Sequence, residues 1–241
     1  MPKTEQQIAL VTGASRGIGR AIAIKLAANG YAVALTARSR DGLEETARAI
    51  KKSGGSSALI VPADLRNPSR VEEMAEQVLT EWGKIDVLIN NAGVMYNKPF
   101  LEIRLAELEE MLEVNFTSVF LLTQKVLPAM LDRREGTIVN IASLAGKHGF
   151  KHGSGYAATK FALRGFAQSL MLEVRDKGIR VITVFPGSVN TALSGRHPTS
   201  PRAESILQPE DVAHAVYAAI SVDNRAMMSE IDLRPSNPQK S

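Results

Sequence analysis

Short apolar runs alternate with longer stretches whose apolar residues recur every three or four positions. Ile8-Ala9-Leu10-Val11 is the first run. A helical pattern with Ile18, Ile22 and Leu26 in register follows it and stops at Asn29-Gly30. The alternation continues to the end of the chain. It predicts further strands at 31–36, 58–61, 86–90, 136–141, 179–185 and 226–231. Helices are predicted at 41–52, 68–82 and 105–131, and again after 154 and after 208. Apolar strands joined by helices imply an α/β fold. It is a doubly wound, Rossmann-like parallel sheet of about seven strands with helices on both faces. Ligands then bind beyond the carboxyl ends of the strands. The stretches 105–131 and 155–176 are apolar on more than one side, through Met111, Phe116, Phe120, Phe161 and Phe166 among others. One side can pack on the sheet, and the other predicts a subunit contact. Trp82 is expected in the core. With no linker or repeat, 1–241 reads as a single domain with a short polar N-terminus (1–6) and a loose tail (234–241).

The composition narrows the classes. A chain of 241 residues suits one full core, and 44% hydrophobic with 22% charged residues is ordinary for a globular protein. The absence of cysteine excludes disulfides and thiolate metal sites and fits a cytoplasmic location. The polar residues 1–7 do not resemble a signal peptide, and no apolar run approaches the ~18 residues of a membrane span. The net charge of +4 is spread over isolated pairs such as Lys51-Lys52 and Arg133-Arg134, so neither nucleic acid nor membrane is expected as a partner.

Candidate chemistry gathers at the predicted strand ends. Thr12-Gly13-Ala14-Ser15-Arg16-Gly17-Ile18-Gly19 joins a strand to a helix, the arrangement of a phosphate cradle, although its Gly-x-x-x-Gly-x-Gly spacing is not the commonest one. A carboxylate that would hold the ribose of NAD is missing after the second strand, where Arg38 stands instead. Arg38 and Arg16 would suit a 2′-phosphate, hence NADP; otherwise both are solvated surface residues. Asp64 either accepts from an adenine amino group or caps the next helix. Asn91, Ala92 and Gly93 shape a loop that leaves room for a cofactor. Tyr156 and Lys160 lie four apart, on one face of the helix after Ser154. An ammonium beside a phenol, whose reference pKa is about 10, lowers that pKa and readies the phenol for proton transfer. Ser143, at a strand end, would face the pair and polarise a carbonyl. A Tyr and a Lys so spaced can equally be a solvated helix face. Asn115 is either a satisfied core amide or the holder of a water near Lys160. Val94, Met95, Tyr96, His148, Phe150, His152 and Leu193 lie on loops near the expected pocket, and 195–205 is a candidate lid. Gly149 and Gly153 argue against a helical His148–His152 metal pair, and no metal is expected.

Taken together, Thr12 to Gly19, Asn90-Asn91-Ala92-Gly93, Ser143, Tyr156-Ala157-Ala158-Thr159-Lys160 and Pro186-Gly187 closely resemble the motifs of the short-chain dehydrogenase/reductase family, over about residues 6 to 232. The resemblance implies an NADP(H)-dependent oxidoreductase acting on a small carbonyl or alcohol substrate. In it Tyr156 is the catalytic acid or base, Lys160 tunes it and holds the nicotinamide ribose, and Ser143 bonds the carbonyl oxygen. Asn115 supports a water linked to Lys160. It also places Gly13, Ser15, Arg16, Gly17, Ile18, Gly19, Arg38, Asp64, Asn91, Ala92, Gly93, Pro186, Gly187, Val189 and Thr191 around the cofactor. The first half looks like the 3-oxoacyl-thioester reductases of the family. The C-terminus departs from them, with Met227-Met228-Ser229-Glu230-Ile231-Asp232-Leu233-Arg234 in place of a Gly-rich end. That weakens an acyl-carrier substrate and a tetramer, while the two-sided helices favour at least a homodimer, with a homotetramer the alternative. A non-catalytic NADP-binding redox sensor is the competing class, disfavoured by the complete Asn115, Ser143, Tyr156 and Lys160 set.

Overall fold

Strand residues here are apolar on both sides because both sides are covered. The computed structural model describes residues 6–55, 58–194 and 205–236. The strands are β1 (Ile8–Thr12), β2 (Ala32–Thr36), β3 (Ala58–Ile60), β4 (Val87–Asn90), β5 (Gly136–Ile141), β6 (Ile179–Pro186) and β7 (Glu230–Leu233). They form one parallel seven-stranded sheet in the order β3-β2-β1-β4-β5-β6-β7. Ala9 and Val11 of β1 point into one core with α1 (Gly17–Ala27), α2 (Arg40–Lys52) and α7 (Pro209–Ile220). Leu10 points the other way, into a core with α3 (Pro68–Trp82), α5 (Ser118–Arg133) and α6 (Ser154–Val174). That alternation is the two-residue period of a strand between two helical layers. The chain reverses its direction of growth between β1 and β4, so the crevice opens at the ends of those two strands. Trp82 is half-buried against the second core.

Three expectations are corrected. The stretch 105–131 is not one regular helix: α4 (Leu105–Leu112) passes through a π-helical turn, Glu113–Thr117, into α5. Hydrophobic periodicity does not register one inserted residue, and such π turns often mark functional positions. By length and composition this helical stretch is also apolar enough to cross a membrane, which the apolar-run reading excluded. In the fold Val119, Leu122, Val126 and Met130 bury one of its faces in the core. The last strand starts at Glu230, four residues after the predicted Ala226. Arg164 and Lys147 hold Glu230 at 2.9 and 2.8 Å, so ion pairs place this strand where its local apolar content does not. The predicted lid, apart from Ser205, lies outside the described residues, as do 1–5 and 237–241.

Candidate active site

The turn after β1 is tied to the end of β4. The Thr12 hydroxyl accepts the N–H groups of Asn91 (2.9 Å) and Ala92 (3.0 Å), and the Asn91 amide donates to the Thr12 carbonyl at 2.8 Å. Gly17 opens α1 with φ +56°, and no side chain caps that helix start. Its first N–H groups are therefore open to an anion, and the helix dipole favours one there. A Cβ on Gly19 would sit 2.3 Å from the Gly13 carbonyl oxygen, so only glycine lets the turn close on the helix. Gly19 is buried, a packing position beneath the cradle, while Gly13, Ser15, Arg16, Gly17 and Ile18 line the cleft above.

Arg16 and Arg38 are exposed at the same cleft. Among the described residues neither joins an ion pair, whereas Arg20 is held by Glu45 at 2.7 Å. Two guanidinium groups outside any ion pair of the described residues, beside an uncapped helix start, fit a phosphorylated dinucleotide. Asp64 also lines the cleft, but Arg66 grips it at 3.0 Å through Nε and holds its carboxyl below the usual range, aided by Arg38. It does not cap α3. Asn67 does, accepting the Ser69 N–H at 3.1 Å, because Pro68 at the first helical position places Asn67 at the N-cap.

Asn90 is an interior staple, donating to Asn140 Oδ1 across the sheet at 2.9 Å. Asn91, Ala92 and Gly93 line the cleft. A Cβ on Gly93 would be 3.3 Å from Asn115 Oδ1 and 3.8 Å from Lys160 Nζ, so this loop runs directly over the candidate catalytic groups. Asn115 sits in the π turn, fully buried. It accepts the Val94 N–H (2.8 Å) and donates to the Val94 carbonyl (2.9 Å) and Thr159 Oγ1 (3.0 Å). It is a satisfied amide, and it clamps the loop after β4 to α6 one residue before Lys160.

The residues from β5 and α6 meet as their spacing implies. Ser143 follows the β5 end, accepts the Ala145 N–H at 3.1 Å and lowers the pKa of the neighbouring Tyr156 phenol. Tyr156 is 6% exposed and packs edge-on against Phe150, so the solvated-face alternative does not hold. Lys160 is 3% exposed and donates to the Ile141 carbonyl at 3.0 Å. Its ammonium lies 5.7 Å from the centre of the Tyr156 ring. The expected lowering of the phenol is reversed: burial pushes Tyr156 up to about 12, against the pull of Ser143. Burial also pulls Lys160 down to about 8. Desolvation penalises the charged form of both groups, and it is the leading cause of both shifts.

At the β6 end, Pro186, Gly187, Val189 and Thr191 complete the cleft, whose volume is about 1390 Å³. Gly187 N–H donates to Leu233 O at 2.8 Å. The Thr191 methyl group would lie 3.3 Å from a Cβ on Gly17, so Thr191 packs against the phosphate turn. Val94, Met95, His148, Phe150 and Leu193 line the cleft. Tyr96 does not; its hydroxyl donates to Glu110 at 2.5 Å. His152 faces elsewhere with φ +66°. Two contributors escaped the sequence reading. The Thr12 hydroxyl carries no signal beyond its place at a strand end. Arg234 borders the cleft, and starting the last strand four residues early assigns it to the tail.

A family model described as short chain dehydrogenase matches residues 7–201. The chain belongs to that family. The ketoacyl reductase HetN of Nostoc sp. is 39% identical over 213 residues, covering 88% of this chain and 74% of that protein. An uncharacterized oxidoreductase of Staphylococcus aureus (strain N315) is 34% identical over 95% of this chain and 97% of its own. Among solved structures, an alcohol dehydrogenase from the archaeon Thermococcus sibiricus, complexed with 5-hydroxy-NADP, superposes with a TM-score of 0.90 at 33% identity, covering 98% of this chain and 100% of that one. A metagenomic short-chain oxidoreductase in complex with NADP gives a TM-score of 0.84 at 37% identity, covering 95% and 97%. The chain is thus a short-chain oxidoreductase with a nicotinamide-cofactor fold.

Proposed function

We propose that this protein reduces a ketone or aldehyde with NADPH, and can run the reverse oxidation, with Tyr156 as the proton donor or acceptor. The observation that carries this reading is the convergence of Ser143, Tyr156 and Lys160 on one cleft, with the phenol buried and held protonated. The nicotinamide supplies the hydride when bound. Arg16 and Arg38 take the 2′-phosphate, the N-terminus of α1 takes the pyrophosphate, and Lys160 holds the ribose. Asp64 borders the adenine. Ser143 and Tyr156 both donate to the carbonyl oxygen, where negative charge develops. A phenol near 12 remains a usable acid for this step, because an alkoxide is a stronger base than a phenolate. Asn115 is a positioning residue that keeps the loop over Lys160.

One observation favours a narrower reading, a 3-oxoacyl-thioester reductase: the relative HetN is named a ketoacyl reductase. We also propose that α4–α5 and α6 pair with a second subunit. The support is the exposure of Phe120 (43%), Phe161 (45%) and Leu172 (60%) on those helices. The test of the activity is oxidation of NADPH and of NADH over a 3-oxoacyl thioester, an aromatic ketone, a vicinal diketone and a ketose. NADPH-dependent turnover supports the reading. Tight NADPH binding with no turnover of any class would favour the redox sensor.

A further inference from the structure

We infer that Arg234 is a specificity residue that selects carbonyl substrates bearing a carboxylate; this rests on the reductase reading above. The residues on either side of Arg234 pack at Gly187, at the β6 end of the cleft that Ser143 and Tyr156 also line. Leu233, the residue before it, accepts the Gly187 N–H at 2.8 Å. Pro235, the residue after it, and Leu144, the neighbour of Ser143, both lie within 3.5 Å of a Cβ built on Gly187. Leu144 packs at Gly187 beside Pro235, and Met95, Phe150 and Leu193 add apolar surface to the same cleft.

The charges around β7 leave this cation in excess. Glu230 is gripped by Arg164 at 2.9 Å, by Gln168 at 2.9 Å and by Lys147 at 2.8 Å. These contacts hold its carboxyl down at about 2. Asp232 is taken by Lys147 at 2.6 Å. Arg234 reaches Asp232 only at 3.9 Å, and its side chain is 56% exposed. Among the described residues, three cations thus face two carboxylates, and the most loosely held cation is the one bordering the cleft. The carboxylates among the described lining residues, Asp41, Glu45 and Asp64, follow β2 and β3, at the other edge of the sheet from β7. A substrate with its carbonyl at Ser143 and Tyr156, a short apolar chain along Leu144 and a carboxylate on the Arg234 fork would match this layout. A guanidinium binds such a group through two parallel hydrogen bonds.

The test uses 4-oxopentanoate, 5-oxohexanoate and 6-oxoheptanoate, each beside its methyl ester, with NADPH. The proposal expects the wild type to favour the acid over its ester by about tenfold in kcat/KM at the best length, the scale of one charge-assisted hydrogen bond. Arg234→Gln should bring that ratio near unity, chiefly through loss of kcat/KM on the acid. Arg234→Lys should restore part of it, and Arg234→Glu should favour the ester. Calorimetric binding of hexanoate to the enzyme–NADP⁺ complex gives a readout independent of turnover, and should weaken in Arg234→Gln. Esters reduced as well as acids, or hexanoate binding indifferent to Arg234→Gln, would overturn the assignment of Arg234 and leave the reductase intact. Arg234-dependent binding of hexanoate with no reduction of any ketone would sustain the anion site and count against the reductase.

Discussion

Replacing Lys160 by methionine should make the cofactor-free protein more stable at neutral pH while ending its chemistry. Burial lowers the Lys160 ammonium from 10.5 to about 8. Its folded pKa therefore lies below its unfolded one. The stability it contributes is present above pH 10.5 and is lost as pH falls through about 8. At pH 7 the folded state carries a penalty of about 3 kcal/mol for holding the charge, from about 2.5 pKa units at 1.36 kcal/mol each. At pH 9.5 the folded lysine is already mostly neutral, and about 1 kcal/mol remains. Methionine has similar length and no charge. It forfeits the hydrogen bond to Ile141, an offset of about 1 kcal/mol that does not vary with pH. Urea unfolding of both proteins without cofactor, at pH 7 and pH 9.5, reads the difference directly. The advantage of Lys160→Met over wild type should shrink by roughly 2 kcal/mol between the two pH values. A gap that stays level, or widens with pH, would show that burial does not depress this lysine.

Other consequences are open to single experiments. Arg38→Asp should move preference from NADPH towards NADH by a hundredfold or so in the ratio of kcat/KM, on the scale of a charge-assisted contact turned repulsive; an unchanged ratio would mean that another group reads the 2′-phosphate. Ser143→Ala should lower kcat by about 10²-fold while NADPH affinity, measured by fluorescence titration, stays within twofold. Phe161→Asp should shift the protein to a smaller assembly in sedimentation velocity, because a carboxylate on that face opposes its burial; an unchanged sedimentation coefficient would move the interface elsewhere.

The sheet and its helices were readable because continuous apolar strands and three-to-four-residue periods are local signals. The match at Pro68–Trp82 and Gly136–Ile141 was complete. Readings failed where distant groups decide. The last strand, expected at 226–231, is shifted to Glu230–Leu233, where Lys147 and Arg164 hold Glu230 and Lys147 holds Asp232. Asp64 does not cap α3 because Pro68 puts Asn67 at the N-cap, and its grip by Arg66 is a contact that spacing alone does not reveal. The four-residue spacing correctly put Tyr156 and Lys160 on one helix face. It carried no information about burial, which reverses the expected direction of the phenol's shift. The π turn at Asn115 was invisible because one extra residue barely disturbs an apolar pattern covering more than one face.

The most direct test of the central claim is Tyr156→Phe, assayed on the best carbonyl substrate alongside an NADPH titration. Phenylalanine keeps the ring and its packing against Phe150 and removes only the hydroxyl that carries the proton. The account predicts a loss of at least 10³-fold in kcat with the NADPH dissociation constant unchanged within twofold, since the general acid is gone and the cradle is not. Turnover within tenfold of wild type would contradict the assignment of Tyr156 as proton donor and move the chemistry to another group in the cleft.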